Sequence, residues 1–150
     1  MNKLSILPFA LLLSCTGPSE ASAQDLSAYR WQNRVLLVLS GEENEQRATA
    51  QLAELAAAKE GLEERKLLVF QVLPNQYRQA VLRNGQWQPT TDIFQAYAQD
   101  GEFTVVLLGL DGGVKIRQPN VLAVNELFST IDGMPMRRAE LRRQRPTKNE

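Results

Sequence analysis

Three runs of consecutive apolar residues dominate the chain beyond its N-terminal segment, at residues 34–39, 67–73 and 103–110. Each run is short, rich in branched side chains and bounded by turn-forming residues. Such runs are typical of strands that are covered on both faces. A fourth stretch, residues 114–117, alternates apolar and basic residues and follows the turn sequence Asp111-Gly112-Gly113. The pattern therefore predicts an edge strand, paired in a hairpin with the third run.

Helical periodicity appears between and after these runs. Ala48, Leu52 and Leu55 form one apolar stripe, which predicts a helix over about residues 43–60. The preceding Ser40-Gly41-Glu42-Glu43 predicts a capping box at the start of this helix, and Gly61 predicts its end.

Further helices are predicted near residues 92–98 and 122–131, where apolar positions again recur at helical spacing. Asn84-Gly85 lies between AVLR and QWQ in the stretch of residues 77–87, which suggests a small hairpin with a two-residue turn. A strand, helix, strand start implies a parallel pair of strands with a right-handed crossover.

This order of elements is that of the thioredoxin-like fold. The sequence therefore predicts the α/β class and a single thioredoxin-like domain, with a central mixed sheet of about four strands flanked by helices. We expect the domain to span residues 34–145, preceded by a tether at residues 24–33 and followed by a disordered tail at residues 146–150.

The first 23 residues have the features of an export signal. A short positive start is followed by ten apolar residues, 4–13, which are too few to span a bilayer and suit the apolar region of a signal peptide. No later segment is long and apolar enough to be a transmembrane helix. The sequence thus predicts an exported protein of the periplasm.

Two cleavage sites compete within this signal. Small residues at positions 21 and 23 predict ordinary cleavage after Ala23. Alternatively, Leu12-Leu13-Ser14-Cys15 resembles a lipobox, in which the signal ends at residue 14 and Cys15 is lipidated. In the second case the domain would be anchored to a membrane as a lipoprotein.

Composition restricts the chemistry. The 17 basic residues balance the 17 acidic ones, and the chain has no histidine and a single cysteine, Cys15. The usual general base and the commonest transition-metal ligand are therefore missing. A thioredoxin-like oxidoreductase needs a low-pKa thiolate after the first strand, at a helix N-terminus. Ser40 and acidic residues occupy that position here, so the sequence does not support thiol redox chemistry.

Three stretches are together similar to the family named domain of unknown function 4174. They are RWQNR at residues 30–34, GLDGGVK at residues 109–115 and IDGMPMRR at residues 131–138. The similarity extends over residues 26–143. It implies a bacterial exported member of the family, with a thioredoxin-like fold, no redox cysteines and no established activity. Leu110 and Lys66 depart from the expected lysine and acidic residue, which argues against a catalytic role for these two positions.

The resemblance rests on residues to which the family assigns no role. They are Trp31, Arg34, Asp111, Gly112, Gly113, Asp132, Met134, Pro135, Met136 and Arg137. Met134 and Met136 could offer two thioethers to cuprous copper, but without histidine or cysteine they make a poor site, and packing is the better interpretation. No cofactor and no catalytic residue are predicted.

Charge is uneven along the chain even though it balances in total. Residues 42–65 carry seven acids and three bases, whereas residues 137–150 carry six bases and two acids. The basic residues Arg137, Arg138, Arg142, Arg143 and Arg145 form a candidate anion-binding cluster. The alternative is a solvated terminal helix whose arginines complement the acidic first helix.

Three functions are consistent with these patterns. The leading hypothesis is a non-catalytic thioredoxin-like module that binds a protein or another envelope component. The second is a polyanion or membrane-surface binder that uses the C-terminal arginines. The third is an enzyme of unfamiliar mechanism that uses carboxylates, such as Asp132 and Glu140, together with arginine. Export argues against a nucleic-acid partner.

Overall fold

The structure is a computed structural model of the chain, and it describes residues 26–90, 92–99 and 103–144. The described strands are β1 (Arg34–Leu39), β2 (Leu67–Leu73), β3 (Gln76–Ala80), β4 (Gln88–Pro89), β5 (Thr104–Leu108) and β6 (Val114–Gln118). They form one mixed sheet in the order β4-β3-β2-β1-β5-β6. Strand β1 is parallel to β2 and antiparallel to β5, which is the mixed arrangement predicted from the order of elements.

Helices cover both faces of this sheet. They are α1 (Glu45–Ala56), α2 (Lys59–Glu64), α3 (Asp92–Tyr97), α4 (Val124–Gly133) and α5 (Pro135–Gln144), with short 3₁₀ turns at Leu26–Tyr29 and Glu42–Asn44. Helices α1, α2 and α4 pack on one face around the apolar cluster that contains Leu36 and Leu107. Helix α3 and the first 3₁₀ turn pack on the other face, around Leu37 and Phe70.

The sheet has six strands, so the prediction of about four was too low. The two additional strands are β3 and β4, which extend the sheet beyond β2. In strand β3 two polar residues separate the buried Tyr77 from the buried Ala80, and these polar residues conceal the strand in the hydropathy pattern. The two-residue turn lies at residues 74–75, since Leu73 pairs with Gln76. The turn predicted at Asn84-Gly85 is wrong, because those residues belong to a longer connection to β4.

The helix predicted over residues 43–60 is divided into a 3₁₀ turn, α1 and α2. The predicted capping box does not form, because the buried Ser40 hydroxyl has no hydrogen-bond partner among the described residues. Gly61 does not end a helix but lies within α2. A Cβ atom at Gly61 would lie 2.5 Å from Cε2 of Phe128, so the glycine allows α4 to approach closely. The predicted helices near residues 92–98 and 122–131 correspond to α3 and α4.

The domain begins earlier than predicted. Leu26 and Tyr29, expected in a tether, pack against the second apolar cluster, which makes the first 3₁₀ turn part of the folded body. The candidate signal residues Cys15 and Ala23 lie outside the described residues, as do Arg145 and the tail. Within the described ranges, no helix has the length and apolarity that crossing a membrane requires.

Candidate functional site

The three stretches that resemble the family meet at one end of the sheet, where β1 begins and β5 ends. We call this region the motif end. The backbone N–H of Trp31 donates to the carbonyl oxygen of Leu110 at 2.7 Å, which joins the first stretch to the second. Arg34, at the start of β1, donates to Glu140 of α5, the helix that begins within the third stretch. Sequence separation hides this convergence, because it depends on the antiparallel pairing of β1 with β5.

Two arginines at the motif end are completely buried. The Arg34 guanidinium donates to the backbone carbonyl of Arg65 at 2.9 Å and to both carboxylate oxygens of Glu140, at 3.3 and 3.4 Å. Arg137 donates to the Glu64 carbonyl oxygen at 3.0 Å and to the carboxylates of Glu64, Asp132 and Glu140. A buried guanidinium requires such partners, since an unpaired charge in the interior is strongly unfavourable.

A third arginine completes the cluster. Nη2 of Arg65 lies 2.6 Å from Oδ2 of Asp132, and its guanidinium stacks 4.1 Å above the centroid of the Phe128 ring. The resulting network has three guanidinium groups and three carboxylates, and its members come from β1, the end of α2, α4 and α5. They are Arg34, Glu64, Arg65, Asp132, Arg137 and Glu140.

The protonation state of Asp132 follows from these contacts. Partial burial by itself raises the pKa of Asp132, but the hydrogen bonds and charges of Arg65 and Arg137 outweigh it, so the pKa lies below its ordinary value of 3.8. An acid held ionised in this way has no proton to donate at neutral pH. The contacts of Asp132 and Glu140 therefore favour a role in fastening α5 to the rest of the domain.

The candidate anion-binding arginines do not share one environment. Arg137 has 0% of its surface exposed and is saturated by acidic partners, so it is not available to an external anion and must be removed from that cluster. Arg138, Arg142 and Arg143 are exposed on α5. The remaining member, Arg145, lies beyond the described part of α5.

Trp31 has an unusual conformation at the motif end. Its φ is +64°, in the left-handed region that bulky side chains rarely adopt, and 67% of its surface is exposed. Gly112 also lies in this region, at φ +78°, and the Arg30 side chain lies over it. A Cβ atom at Gly112 would come within 2.6 Å of Arg30 Nε, which gives this glycine a steric reason as well as a conformational one.

Asp111 shapes the adjacent turn between β5 and β6. Its carboxylate accepts hydrogen bonds from the Lys115 ammonium at 2.8 Å and from the backbone N–H of Gly113 at 3.0 Å. The Lys115 hydrogen bond, followed by that of Gly113, lowers the pKa of Asp111. Asp111, Gly112 and Gly113 therefore fix the shape of the turn that supports Trp31.

A half-open cleft of about 150 Å³ lies beside this turn, between the first 3₁₀ turn and α3. Its floor contains the core residues Val35, Ile93 and Leu108. Tyr29 and Tyr97 form partly buried walls, while Arg30 and Asp92 supply exposed charge at the rim. The cleft was not predicted. The aromatic residues that line it are 68 positions apart in sequence, and no periodic pattern connects them.

The opposite end of the sheet is the end at which thioredoxin-like enzymes carry their reactive thiol. There Ser40 follows β1, and exposed Glu42, Glu43 and Glu45 precede or begin α1. The only cysteine of the sequence is Cys15, far upstream of this position. Negative charge at a helix start favours neither a thiolate nor a bound anion. The motif end and this position are thus separated by the length of β1.

The methionines of the third stretch differ in exposure. Met134 is partly buried and packs against the first apolar cluster, whereas Met136 is 47% exposed. Pro135 is the first residue of α5, a position that needs no backbone N–H donor. Across the described ranges, no three His, Cys, Asp or Glu side chains are grouped so as to hold a metal ion.

Two known structures resemble the fold. The crystal structure of reduced 2-Cys peroxiredoxin from Plasmodium vivax has a TM-score of 0.53 and 13% identity, over 83% of this chain and 77% of that one. The mitochondrial 2-Cys peroxiredoxin of Plasmodium falciparum has a TM-score of 0.48 and 13% identity, over 83% and 86% of the two chains. At such identity the likeness concerns the fold alone, and the first of these supports the thioredoxin-like assignment.

Sequence comparison is more specific. None of the curated protein sequences matches this chain. The family model described as "Domain of unknown function (DUF4174)" matches residues 25–140, which is most of the chain and includes all three stretches at the motif end up to Glu140. The protein is therefore a member of the DUF4174 family with a thioredoxin-like fold.

Proposed function

We propose that this domain is a non-catalytic binding module that recognises a protein partner through its motif end. The observation that carries the proposal is Trp31, a large aromatic side chain held outward at φ +64° by a backbone hydrogen bond to Leu110. Exposing this side chain leaves apolar area in water, and its backbone conformation is strained. Both costs are understandable if the indole is covered in a complex, because tryptophan is enriched among the residues that dominate binding energy.

The chemistry at the two ends of the sheet supports a binding role without catalysis. At the end where a thioredoxin-like enzyme would carry its thiol, this chain has Ser40 and three glutamates. At the motif end, the carboxylates of the arginine network are all engaged with guanidinium groups. Recognition requires neither a free nucleophile nor a free proton donor. The motif end has a rigid base and an exposed aromatic group, which are what a binding surface needs.

Export is part of the proposal. Residues 1–23 have the features of a signal, with cleavage after Ala23 or lipidation at Cys15 as alternatives, so the module would act in the periplasm, either free or anchored. The intact mass of the protein recovered from membranes and from the soluble periplasm distinguishes these two products. Recovery of full-length, unprocessed protein from the cytoplasm alone would contradict export.

Site-specific crosslinking tests the binding surface. A photoreactive phenylalanine at position 31 is compared with the same residue at position 87. Trp87 is also partly exposed, but the guanidinium of Arg78 in β3 stacks on its ring. Irradiation of intact cells should give a discrete crosslinked band from position 31 and none from position 87. Equal labelling from both positions, or no discrete band from position 31, would refute the proposed surface.

A second candidate function is binding to an anionic surface through α5. Arg138, Arg142 and Arg143 are exposed, and none of them takes part in an ion pair within the described chain. The double change Arg142→Glu, Arg143→Glu should abolish salt-sensitive retention on heparin if this function is correct. The double change Arg47→Glu, Lys59→Glu, at exposed positions of α1 and α2, is the matched control. Unchanged retention of the α5 variant would exclude this function.

A further inference from the structure

The cleft at the motif end has a size that limits what can enter it. Its volume is about 150 Å³, and its floor is formed by the core residues Val35, Ile93 and Leu108. An apolar cavity of roughly this volume accommodates one benzene-sized group. The partly buried rings of Tyr29 and Tyr97 flank the opening, so the cleft is suited to a single apolar or aromatic side chain.

One cation at the rim, Arg30, lacks an ionic partner among the described residues. Arg30 lines the cleft and lies over Gly112, and within the described chain its guanidinium makes no ion pair or hydrogen bond. Gly112 has no Cβ atom, and this leaves room for the Arg30 side chain. Every arginine of the buried network has at least one carboxylate partner, whereas Arg30 has none within the described part of the chain.

The charge at the rim restricts the anion further. A guanidinium matches the two oxygens of a carboxylate in a bidentate geometry. Arg30 supplies a single positive charge at the rim, which one carboxylate neutralises. A single negative charge next to a compact apolar group is therefore the best complement.

We propose that the cleft binds a carboxylate attached to one apolar or aromatic residue-sized group. The apolar group enters between Tyr29 and Tyr97, and the carboxylate is held by Arg30. The inference rests on the proposed function, since the C-terminal residue of a partner protein has this chemistry. A free small carboxylic acid has the same chemistry, and the experiment separates the two sources.

The test is a titration of the full chain, followed through backbone amide signals and by calorimetry. The probes are the peptide N-acetyl-Ala-Ala-Phe, its C-terminal amide and 3-phenylpropionate. The peptide acid should shift the signals of Arg30 and Gly112 and bind at least about tenfold more tightly than its amide. Tighter binding of the peptide than of 3-phenylpropionate assigns the site to a protein C-terminus, and the reverse order assigns it to a free acid.

Two variants and one control make the result specific. Arg30→Gln should remove the preference for the acid over the amide, while Arg47→Gln, an exposed arginine on the opposite face, should retain it. Ala96→Phe places a ring at the exposed edge of the cleft and should abolish binding of both forms. Absence of binding by either acid at millimolar concentration, or equal binding of acid and amide, overturns the inference. If crosslinking from position 31 still succeeds, the proposed function survives that failure.

Discussion

The guanidinium of Arg34, at the start of β1, contacts the carboxylate of Glu140 in α5, 106 positions along the chain. Arg34 is completely buried, and Glu140 is its only carboxylate partner within the described chain. This contact joins two ends of the domain that no strand pairing connects.

Replacing Glu140 should therefore destabilise the domain severely. Glu140→Ala leaves Arg34 buried without an anion, which should lower the free energy of unfolding by about 3 kcal/mol. Urea denaturation followed by circular dichroism measures this change. Glu54→Ala, on the exposed face of α1, is the control and should stay within about 0.5 kcal/mol of the wild type. A loss below 1 kcal/mol in Glu140→Ala would show that Arg34 finds another partner or water.

Acid should weaken the same region. The pKa of Asp132 is lower in the folded state than in the unfolded chain, so the unfolded chain binds the extra proton first. The stabilisation from this group is complete above about pH 4 and is lost as the pH falls further, towards the folded-state pKa. Asp132→Asn should be less stable than the wild type at pH 7 and should lose less stability between pH 5 and pH 2.

The comparison is made by thermal unfolding at matched ionic strength. Glu54→Gln is the control, and it should follow the pH profile of the wild type. Asp111, which has a lowered pKa through Lys115 and Gly113, contributes in the same acidic range, so Asp132→Asn should flatten the profile only in part. A variant profile parallel to that of the wild type would contradict the assignment.

The buried amide of Gln51 should be essential for the position of α4. Its side chain donates to the Leu122 carbonyl oxygen at 3.0 Å and accepts from the Leu122 N–H at 2.6 Å. Gln51→Leu leaves both backbone groups buried without partners and should cost about 2 kcal/mol of unfolding free energy. Gln46→Leu, exposed on the same helix, is the control. Equal stability of the two variants in urea would show that water replaces the amide.

The opposite effect on stability is expected for a substitution at Ser40. Its hydroxyl is buried just after β1 and makes no hydrogen bond to any residue that the structure describes. Ser40→Ala removes a polar group that is desolvated without compensation, so it should be neutral or stabilise the domain by up to about 1 kcal/mol. Ser129→Ala, on the exposed surface of α4, is the control for the general effect of the substitution. Destabilisation beyond 1 kcal/mol would indicate that the hydroxyl has a partner.

The hydropathy pattern is sufficient to predict the central strands of the fold. Strands β1 and β2 are continuous apolar runs covered on both faces, and the predicted bounds 34–39 and 67–73 agree with the structure. Strand β3 was missed because its outward residues, such as Arg78, interrupt the apolar pattern. The first 3₁₀ turn was assigned to a tether because Leu26 and Tyr29 are isolated apolar positions, and only the tertiary structure shows what they contact.

The candidate site was predictable only in fragments. The resemblance identified Trp31, Arg34, Asp132 and Arg137, but it gave no reason for their presence. For the charged residues the reason is three-dimensional. Arg137 pairs with Glu64, 73 positions away, and Asp132 pairs with Arg65, 67 positions away. A run of arginines in a sequence has the same appearance whether each is solvated or enclosed, which is why Arg137 was grouped with its exposed neighbours.

Helices with few buried residues often open and close independently of the domain to which they are attached, and their amide protons exchange through such local opening. Helix α5 lacks the fully buried apolar residues that normally prevent such opening, because its single fully buried residue is Arg137. Lifting the helix away, however, would withdraw Glu140 from Arg34 and separate Arg137 from Glu64. The backbone amides of α5 should therefore exchange with deuterium at the slow rate set by unfolding of the entire domain.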